Sequence, residues 1–178
     1  PDIFTVIIPR HPERAAGIEQ LLLNRKLSVS VRSKTDPVDA SISFLLGDTI
    51  GELGLFFRIT DIAVVGGTLI PHGGQNPIEP ARLGCAIIHG PHMENFLGIQ
   101  RELLTAGASV IVHSAEELAL EIGTLLSNST LRQRRMSAAR SVADSKQNVL
   151  DAVFAHINPH LSRISSAKPA PVANDACA

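Results

Sequence analysis

The chain contains no tryptophan and no tyrosine, so its 6 phenylalanines are the only aromatic residues. Proteins that bind single-stranded nucleic acid usually stack bases on aromatic rings. They also need a basic surface, whereas the net charge here is −1. The sequence therefore argues against a nucleic-acid partner. The 2 cysteines, Cys85 and Cys177, are too few for a disulfide scaffold, and we expect both to be free thiols.

Long apolar runs are also missing. No stretch approaches the roughly 20 apolar residues that a membrane-spanning helix needs, and none near the start has the composition of a secretory signal. The 178 residues are 44% hydrophobic and 19% charged, which is typical of one globular domain. Because the sequence begins with Pro1 and enters an apolar segment at once, we expect a piece of a longer protein. Residues 161–178, rich in Ala, Pro and Ser, are expected to form a disordered tail.

Apolar segments alternate with helical patterns along most of the chain. The predicted strands are Phe4–Ile8, Ser28–Val31, Ile42–Leu46, Ile62–Val65, Ala86–His89 and Ser109–Val112. The predicted helices are Glu13–Lys26, Gly51–Ile59, Pro77–Leu83, Phe96–Ala106, Ala115–Leu126, Leu131–Ala143 and Val149–Ile157. Strands separated by helices indicate parallel pairing with right-handed crossovers, and apolar strands that barely alternate indicate a sheet covered on both faces. The predicted fold is α/β, a doubly wound parallel sheet of about six strands.

The strand order predicts where a ligand would bind. An order of 3-2-1-4-5-6 places a crevice between the first and fourth strands, at the carboxyl edge of the sheet. Three loops would meet there: Pro9–Arg14, Gly47–Glu52 and Gly66–Glu79. Each is polar and carries glycine or proline, so we expect a site of nucleotide size at this edge.

The Gly66–Glu79 loop carries the strongest signal. It follows an apolar strand, leads into a helix and is rich in glycine, which lets backbone N–H groups approach a phosphate. Asn76 is predicted to cap the helix, with Pro77 at its first position. Glu79 has two interpretations that stay open, the carboxylate of a capping box or an acceptor for ligand hydroxyls. The glycines of this possible phosphate loop are Gly66, Gly67, Gly73 and Gly74.

The other two loops carry weaker signals. Arg10 could bind a phosphate through two N–H groups, or it could be an ordinary surface arginine. Residues 50–52 could offer unpaired N–H groups at a helix start, with Thr49 or Asp48 as the cap. Ordinary capping is the simpler interpretation of this segment.

Several kinds of site are disfavoured. The sequence has no G-x-G-x-x-G after the first strand, no Walker A lysine and no G-x-S-x-G elbow. His89 and His92 are separated by Gly90-Pro91, which prevents the helix that would place both on one face for a metal. The residues alone therefore predict a domain that binds a nucleotide or nucleotide-sugar and has no evident nucleophile.

Four motifs together resemble the 3-deoxy-D-manno-octulosonic acid (Kdo) transferases of lipopolysaccharide synthesis. They are Ile8–Arg14 (IPRHPER), Gly47–Phe56 (GDTIGELGLF), Val65–Ala81, which opens with VGG and closes with NPIEPA, and Gly90–Phe96 (GPHMENF). The resemblance extends from about Pro1 to Asp151, with the family's order and spacing. Gln75 departs from the histidine expected in many members, and Glu94 from an aromatic or small residue.

The resemblance implies one half of a GT-B glycosyltransferase, whose two Rossmann-like domains face a cleft. Residues 1–160 would be the carboxyl-terminal domain, which binds the substrate CMP-Kdo. The acceptor domain, with the catalytic base, the lipid A precursor and the membrane contact, would be absent from this chain. The whole protein would act at the cytoplasmic face of the bacterial inner membrane, without cofactor or metal. The implied CMP-binding residues are Pro9, Arg10, Ile50, Gly51, Glu52, Asn76, Pro77, Ile78 and Glu79.

Two alternatives stay open. A different GT-B transferase that uses a UDP-sugar would share the helix start around Glu79. A non-catalytic nucleotide-binding module would bind nucleotide but would never support transfer. Competition between CMP and UMP separates the first alternative from the Kdo transferase interpretation.

Overall fold

Strands and helices alternate in the computed structural model, which describes residues 3–34, 39–146 and 153–159. The strands are β1 (Thr5–Ile7), β2 (Val29–Val31), β3 (Phe44–Leu46), β4 (Ile62–Val64), β5 (Ala86–His89) and β6 (Ser109–Ile111). The helices are α1 (Ala15–Asn24), α2 (Leu53–Arg58), α3 (Ile78–Arg82), α4 (Leu97–Thr105), α5 (Ala115–Ser127) and α6 (Ser129–Ser145). Short 3-10 turns occupy Pro12–Arg14, Arg32–Lys34 and Glu94–Phe96, and residues 153–159 are helical.

All strand pairs are parallel and fall into two three-stranded sheets, ordered β1-β3-β2 and β4-β5-β6. The α/β fold class is therefore confirmed. The predicted order 3-2-1-4-5-6 was wrong for the first three strands, since β3 lies between β1 and β2. Across the described ranges no ladder joins β1 to β4. The three strands are equally short, but the central strand β3 is the one that is entirely apolar, and its Leu45 and Leu46 are buried whereas β1 is only half-buried.

The second sheet supplies most of the core because β5 is buried along its whole length. Ile87 packs on one face with Met93, Leu103 and a group of small residues from α3 and α6. Ile88 packs on the other face with Val112 and Leu125. Each such side chain contributes about 1.5–3 kcal/mol when it is fully removed from water. This two-sided burial explains why β5 does not alternate in sequence.

The predicted helices up to residue 143 recur with similar or shifted ends, and of the helix predicted at Val149–Ile157 only residues 153–157 fall within the described, helical part. The first one opens as the 3-10 turn Pro12–Arg14 and continues as α1. The helix predicted to begin at Leu131 begins at Ser129 instead. Its N-cap is Asn128, whose side-chain oxygen accepts a hydrogen bond from the backbone N–H of Leu131 at 2.9 Å. The expected tail, residues 161–178, lies outside the described residues.

Cys85 is a free thiol, as predicted, and it is buried in the core of the second sheet. Burial, together with the nearby charge of Asp61, raises the pKa of Cys85 to about 11, so this thiol is poorly reactive at neutral pH. Cys177 lies outside the described residues. No helix within the described part of the chain is both long and apolar enough to cross a membrane.

Candidate functional site

The loops that follow β1 and β4 contact each other directly. Arg10, exposed just after β1, donates a hydrogen bond from Nη1 to Oε1 of Gln75 at 2.6 Å. Gln75 is half-buried and lies shortly before α3. Two of the three loops predicted to share a site therefore lie together, although no strand ladder connects their sheets in the described residues.

The third loop joins the same region through α2. A Cβ atom placed on Gly54 would lie 3.6 Å from Oε1 of Glu79, so the start of α2 borders the carboxylate of α3. A Cβ on Gly47, at the end of β3, would lie 3.0 Å from the Phe56 ring and 3.3 Å from Ile8. The structure thus brings the ends of β1 and β3, the start of α2 and the start of α3 together.

Glu79 carries a carboxylate with no protein partner in the described part of the chain. As predicted, Asn76 covers the start of α3, since its Oδ1 accepts from the N–H of Ile78 at 3.0 Å. Glu79 does not complete a capping box, because it makes no hydrogen bond with the backbone of Asn76. Of its two open interpretations, the local one is therefore not realised, and the half-buried carboxylate is available to a ligand.

Glu52 is committed to the protein itself. Arg32 donates to its carboxylate from Nε at 3.0 Å and from Nη2 at 2.8 Å, and Thr49 donates a further short hydrogen bond. The hydrogen bond from Arg32, followed by that from Thr49, lowers the pKa of Glu52. If Glu52 contacts a ligand, its backbone is the part that remains available.

The predicted caps of α2 are wrong, because α2 has no side-chain cap. Asp48 instead accepts hydrogen bonds from the backbone N–H of Ser33 at 2.9 Å and from its hydroxyl at 2.5 Å. Burial raises the pKa of Asp48, but the hydrogen bonds from Ser33 outweigh it and leave the pKa lowered. Asp48 thus has a partner distant in sequence, and Thr49 donates to the Glu52 carboxylate, so neither side chain caps α2.

Between these two anchored carboxylates, residues 50 and 51 form an exposed tip. The Ile50 side chain is 88% exposed. Gly51 is also exposed and has a φ of +88°, a conformation that other residues rarely adopt. The tip is therefore held at both ends by contacts to the turn after β2, while its own surface faces solvent.

Gly73 and Gly74 are required for packing. A Cβ on Gly73 would lie 2.3 Å from Nδ2 of Asn95, and one on Gly74 would lie 2.7 Å from the sulfur of Met93. The N–H of Gly74 donates to the carbonyl of Gly67 at 3.2 Å, so it is already used within the loop. The packing accounts for these two glycines, and a phosphate-binding role for the four loop glycines stays a prediction.

Thr68 fastens the same loop to the end of β5. Its hydroxyl donates to the carbonyl of Val65 and accepts from the N–H of Gly90, both at 2.7 Å. The N–H of His92 donates to the carbonyl of Thr68 at 3.0 Å. A Cβ on Gly90 would lie 2.1 Å from that carbonyl oxygen, so only glycine fits there. This junction was not predicted from the residues. The Gly90–Phe96 motif that contains Gly90 had been noted only as part of the family resemblance.

His89 lies inside the protein and has two hydrogen-bond partners there. It is fully buried, with Nδ1 donating to the Gly90 carbonyl at 2.7 Å and Nε2 accepting from the Ser109 hydroxyl at 3.3 Å. Burial lowers the pKa of His89, which favours the neutral ring. Within the described residues no group of three or more His, Cys, Asp or Glu side chains could hold a metal ion.

No protein-family model matches the chain, but curated proteins and solved structures do. The 3-deoxy-D-manno-octulosonic acid transferase of Haemophilus influenzae is 34% identical over 164 residues, which are 92% of this chain and 38% of that protein. The enzyme of the same name from Bordetella pertussis is 34% identical over 158 residues, 86% of this chain and 37% of that protein. A probable mitochondrial one from Arabidopsis thaliana is 29% identical over 168 residues.

Among solved structures, the carboxyl-terminal CMP-Kdo binding domain of WaaA from Acinetobacter baumannii matches with a TM-score of 0.75. It is 29% identical, and the match covers 78% of this chain and 72% of that domain.

The fold and the three assembled loops thus define a Rossmann-like α/β domain, similar in fold to the carboxyl-terminal domain of that structure. The chain is homologous to the 3-deoxy-D-manno-octulosonic acid transferases. It spans less than two-fifths of the curated relatives that it matches, with 38% and 37% of the first two described above.

Proposed function

We propose that this chain is the donor-binding domain of a Kdo transferase and binds CMP-Kdo for transfer to a lipid A precursor in lipopolysaccharide synthesis. One observation carries the proposal: Arg10 and the unpartnered carboxylate of Glu79 are brought to one edge of the fold by loops that contact each other. The similarity to a CMP-Kdo binding domain supports the identity of the nucleotide.

Arg10 is the proposed phosphate ligand. A guanidinium carries five N–H donors in a planar fork. Gln75 accepts a hydrogen bond from Nη1, so the remaining donors can pair with two phosphate oxygens. No carboxylate forms an ion pair with Arg10 in the described residues, and its charge is therefore not neutralised by the protein. This leaves Arg10 able to stabilise the negative charge of the departing CMP.

Glu79 is the proposed ribose ligand. An ionised carboxylate accepts hydrogen bonds only, and the two adjacent hydroxyls of a ribose are suitable donors. Its neighbours Asn76, Pro77 and Ile78 form the helix start that fixes its direction. The exposed tip at Ile50 and Gly51, together with Pro9, would complete the CMP-binding surface.

The chemistry that follows from this proposal is direct displacement at the anomeric carbon of Kdo. A lipid A hydroxyl attacks that carbon, the bond to the phosphate oxygen breaks, CMP departs and the configuration inverts. Asp48 and Glu52 are poor candidates for the base, since both accept strong hydrogen bonds and have a lowered pKa. Neither carboxylate of the described loops therefore suits the role of the base, and we propose that another part of the full-length protein supplies the base, the acceptor site and the contact with the cytoplasmic face of the inner membrane.

The chain on its own is accordingly expected not to transfer Kdo. Lack of a general base costs about 10²–10⁴ in rate, and loss of acceptor positioning adds roughly 7–11 kcal/mol to the barrier. An assay with CMP-Kdo and a lipid A precursor, run in EDTA and then in magnesium, checks this expectation. Turnover under either condition would place the base within this chain.

Calorimetric titration with CMP, UMP, AMP and GMP tests the proposed function. We expect CMP to bind with a Kd of about 0.1–1 mM, because half of the cleft is absent. We expect the other nucleotides to bind more weakly. Equal affinity for CMP and UMP would favour a UDP-sugar transferase instead. Arg10→Ala should weaken CMP and spare cytidine, whereas the matched control Arg14→Ala, in the same exposed loop, should change neither.

A further inference from the structure

Arg10 is a long, exposed side chain at the end of β1, and an unrestrained arginine samples many rotamers. In the described residues its side chain makes one hydrogen bond, to Oε1 of Gln75. We propose that Gln75 is a positioning residue that holds the Arg10 guanidinium where the phosphate of the donor binds. The inference rests on the proposed function and concerns how the same site is organised.

Gln75 belongs to a segment that is fixed on both sides. Before it, the buried Gly74 donates its N–H to Gly67 and packs against Met93. After it, Asn76 caps the start of α3. Gln75 itself is half-buried. The hydrogen bond that Arg10 donates to this anchored segment therefore restrains the exposed guanidinium, so less conformational freedom is lost when a phosphate binds.

The chemistry of the amide suits this role. The side-chain oxygen of Gln75 accepts a hydrogen bond but carries no charge, so Arg10 is oriented while its full positive charge remains available. A carboxylate at this position would also orient Arg10, but it would compete with the phosphate for the guanidinium. Gln75 therefore orients Arg10 without neutralising its charge.

The Arg10–Gln75 hydrogen bond also connects the two sides of the proposed nucleotide site. Gln75 and Glu79 lie in one continuous segment, so the residue that orients the phosphate ligand is anchored next to the proposed ribose ligand. Arg10 comes from the other sheet, and no ladder in the described ranges joins the two sheets. The Arg10–Gln75 hydrogen bond is thus a direct polar link between the phosphate and ribose sides of the site.

A double-mutant cycle tests the proposal. Gln75→Leu keeps the size of the side chain and removes the acceptor. It should raise the Kd for CMP about threefold to tenfold, as the competent Arg10 conformer becomes less populated, while the Kd for cytidine stays unchanged. In an Arg10→Ala background the same substitution should have no effect on CMP. An equal loss for CMP and cytidine, an equal loss in both backgrounds, or no loss at all would overturn the role of Gln75.

Gln75→Glu supplies a second, independent reading if the leucine variant folds poorly. It retains the acceptor, adds a charge and should weaken CMP but not cytidine; unchanged or tighter CMP binding would overturn the proposal. Gln75→His adds a pH readout, since the new imidazole becomes positively charged as the pH drops through about 6.5 and then repels Arg10. The CMP affinity of this variant relative to the unmodified chain should therefore fall over that range. A pH-independent ratio of the two affinities would count against the proposal. If the unmodified chain shows no CMP preference, the proposed function fails and this inference with it; CMP preference without Arg10–Gln75 coupling refutes only the inference.

Discussion

Arg32 donates two hydrogen bonds to the carboxylate of Glu52, at 3.0 and 2.8 Å, and so fastens the turn after β2 to the loop after β3. Ser33 makes a second fastening to Asp48. The exposed tip at Ile50 and Gly51 lies between these two contacts. The shape of one proposed CMP-binding segment thus depends on a residue outside every recognised motif.

Arg32→Ala is expected to weaken CMP binding without unfolding the chain. If the tip then occupies its competent shape for a third to a tenth of the time, the apparent Kd rises about threefold to tenfold. The melting temperature should change little, because both partners are partly exposed. Calorimetry with CMP checks this, with Arg25→Ala as the control, since the Arg25 side chain donates, within the described part of the chain, only to the Leu21 carbonyl on α1. Unchanged CMP affinity in Arg32→Ala would remove the tip from the site.

Glu79→Gln is expected to impair ligand binding far more than folding. Loss of a charged acceptor for the ribose hydroxyls costs roughly 1.5–3 kcal/mol, which is about 10- to 150-fold in Kd. Because no capping box is formed, the free energy of unfolding should hardly change. Titration of the unmodified chain with deoxy-CMP is the companion measurement. Deoxy-CMP that binds as well as CMP would eliminate the ribose role.

Gly90→Ala is expected to destabilise the protein, since the new Cβ would lie 2.1 Å from the carbonyl oxygen of Thr68. Backbone must move to relieve this contact, and overpacking of this kind costs about 1–3 kcal/mol or more. Gly98→Ala is the matched control, because Gly98 lies in α4 and, apart from its chain neighbours and the backbone of its own helix, no atom of the described residues lies within 4 Å of its Cβ position. It should stabilise the helix by about 0.5–1 kcal/mol. Urea unfolding of both variants decides, and equal stabilities would contradict the Thr68–Gly90 junction.

The stability of the protein is expected to fall as the pH drops below about 6.5, the ordinary value for histidine. Burial lowers the pKa of His89 in the folded chain, so the unfolded chain takes up this proton first. The loss begins near the unfolded pKa, ends at the lower folded pKa and amounts to at most about 1.4 kcal/mol per pH unit. Urea unfolding of His89→Gln between pH 5 and pH 7.5 should give a flatter profile. A slope identical to that of the unmodified chain would mean that His89 does not titrate as described.

The sequence predicted the six strands and α1 to α6 because apolar strands and amphipathic helices alternate clearly, and β5 recurs with the predicted bounds, Ala86–His89. The short 3-10 turns at Arg32–Lys34 and Glu94–Phe96 were not predicted. Neighbours within the first sheet were predicted wrongly, because the order was taken from a common doubly wound arrangement and three-residue strands carry little pattern of their own. The three loops of the candidate site were predicted from their polar composition with glycine or proline. The partners that organise them were not, because Arg32 and Gln75 act on residues 20 and 65 positions away. Long-range side-chain contacts leave no local periodicity.

The measurement that tests the central claim most directly is backbone chemical-shift mapping by NMR during titration with CMP. The donor-binding account predicts saturable shifts concentrated at residues 9–10, 50–52 and 76–79, with a smaller response at Gln75 through its bond to Arg10. Uridine monophosphate at the same concentration should shift these signals less. Shifts that concentrate elsewhere, such as along α5, or that respond equally to both nucleotides, would contradict the assignment of this surface to CMP-Kdo.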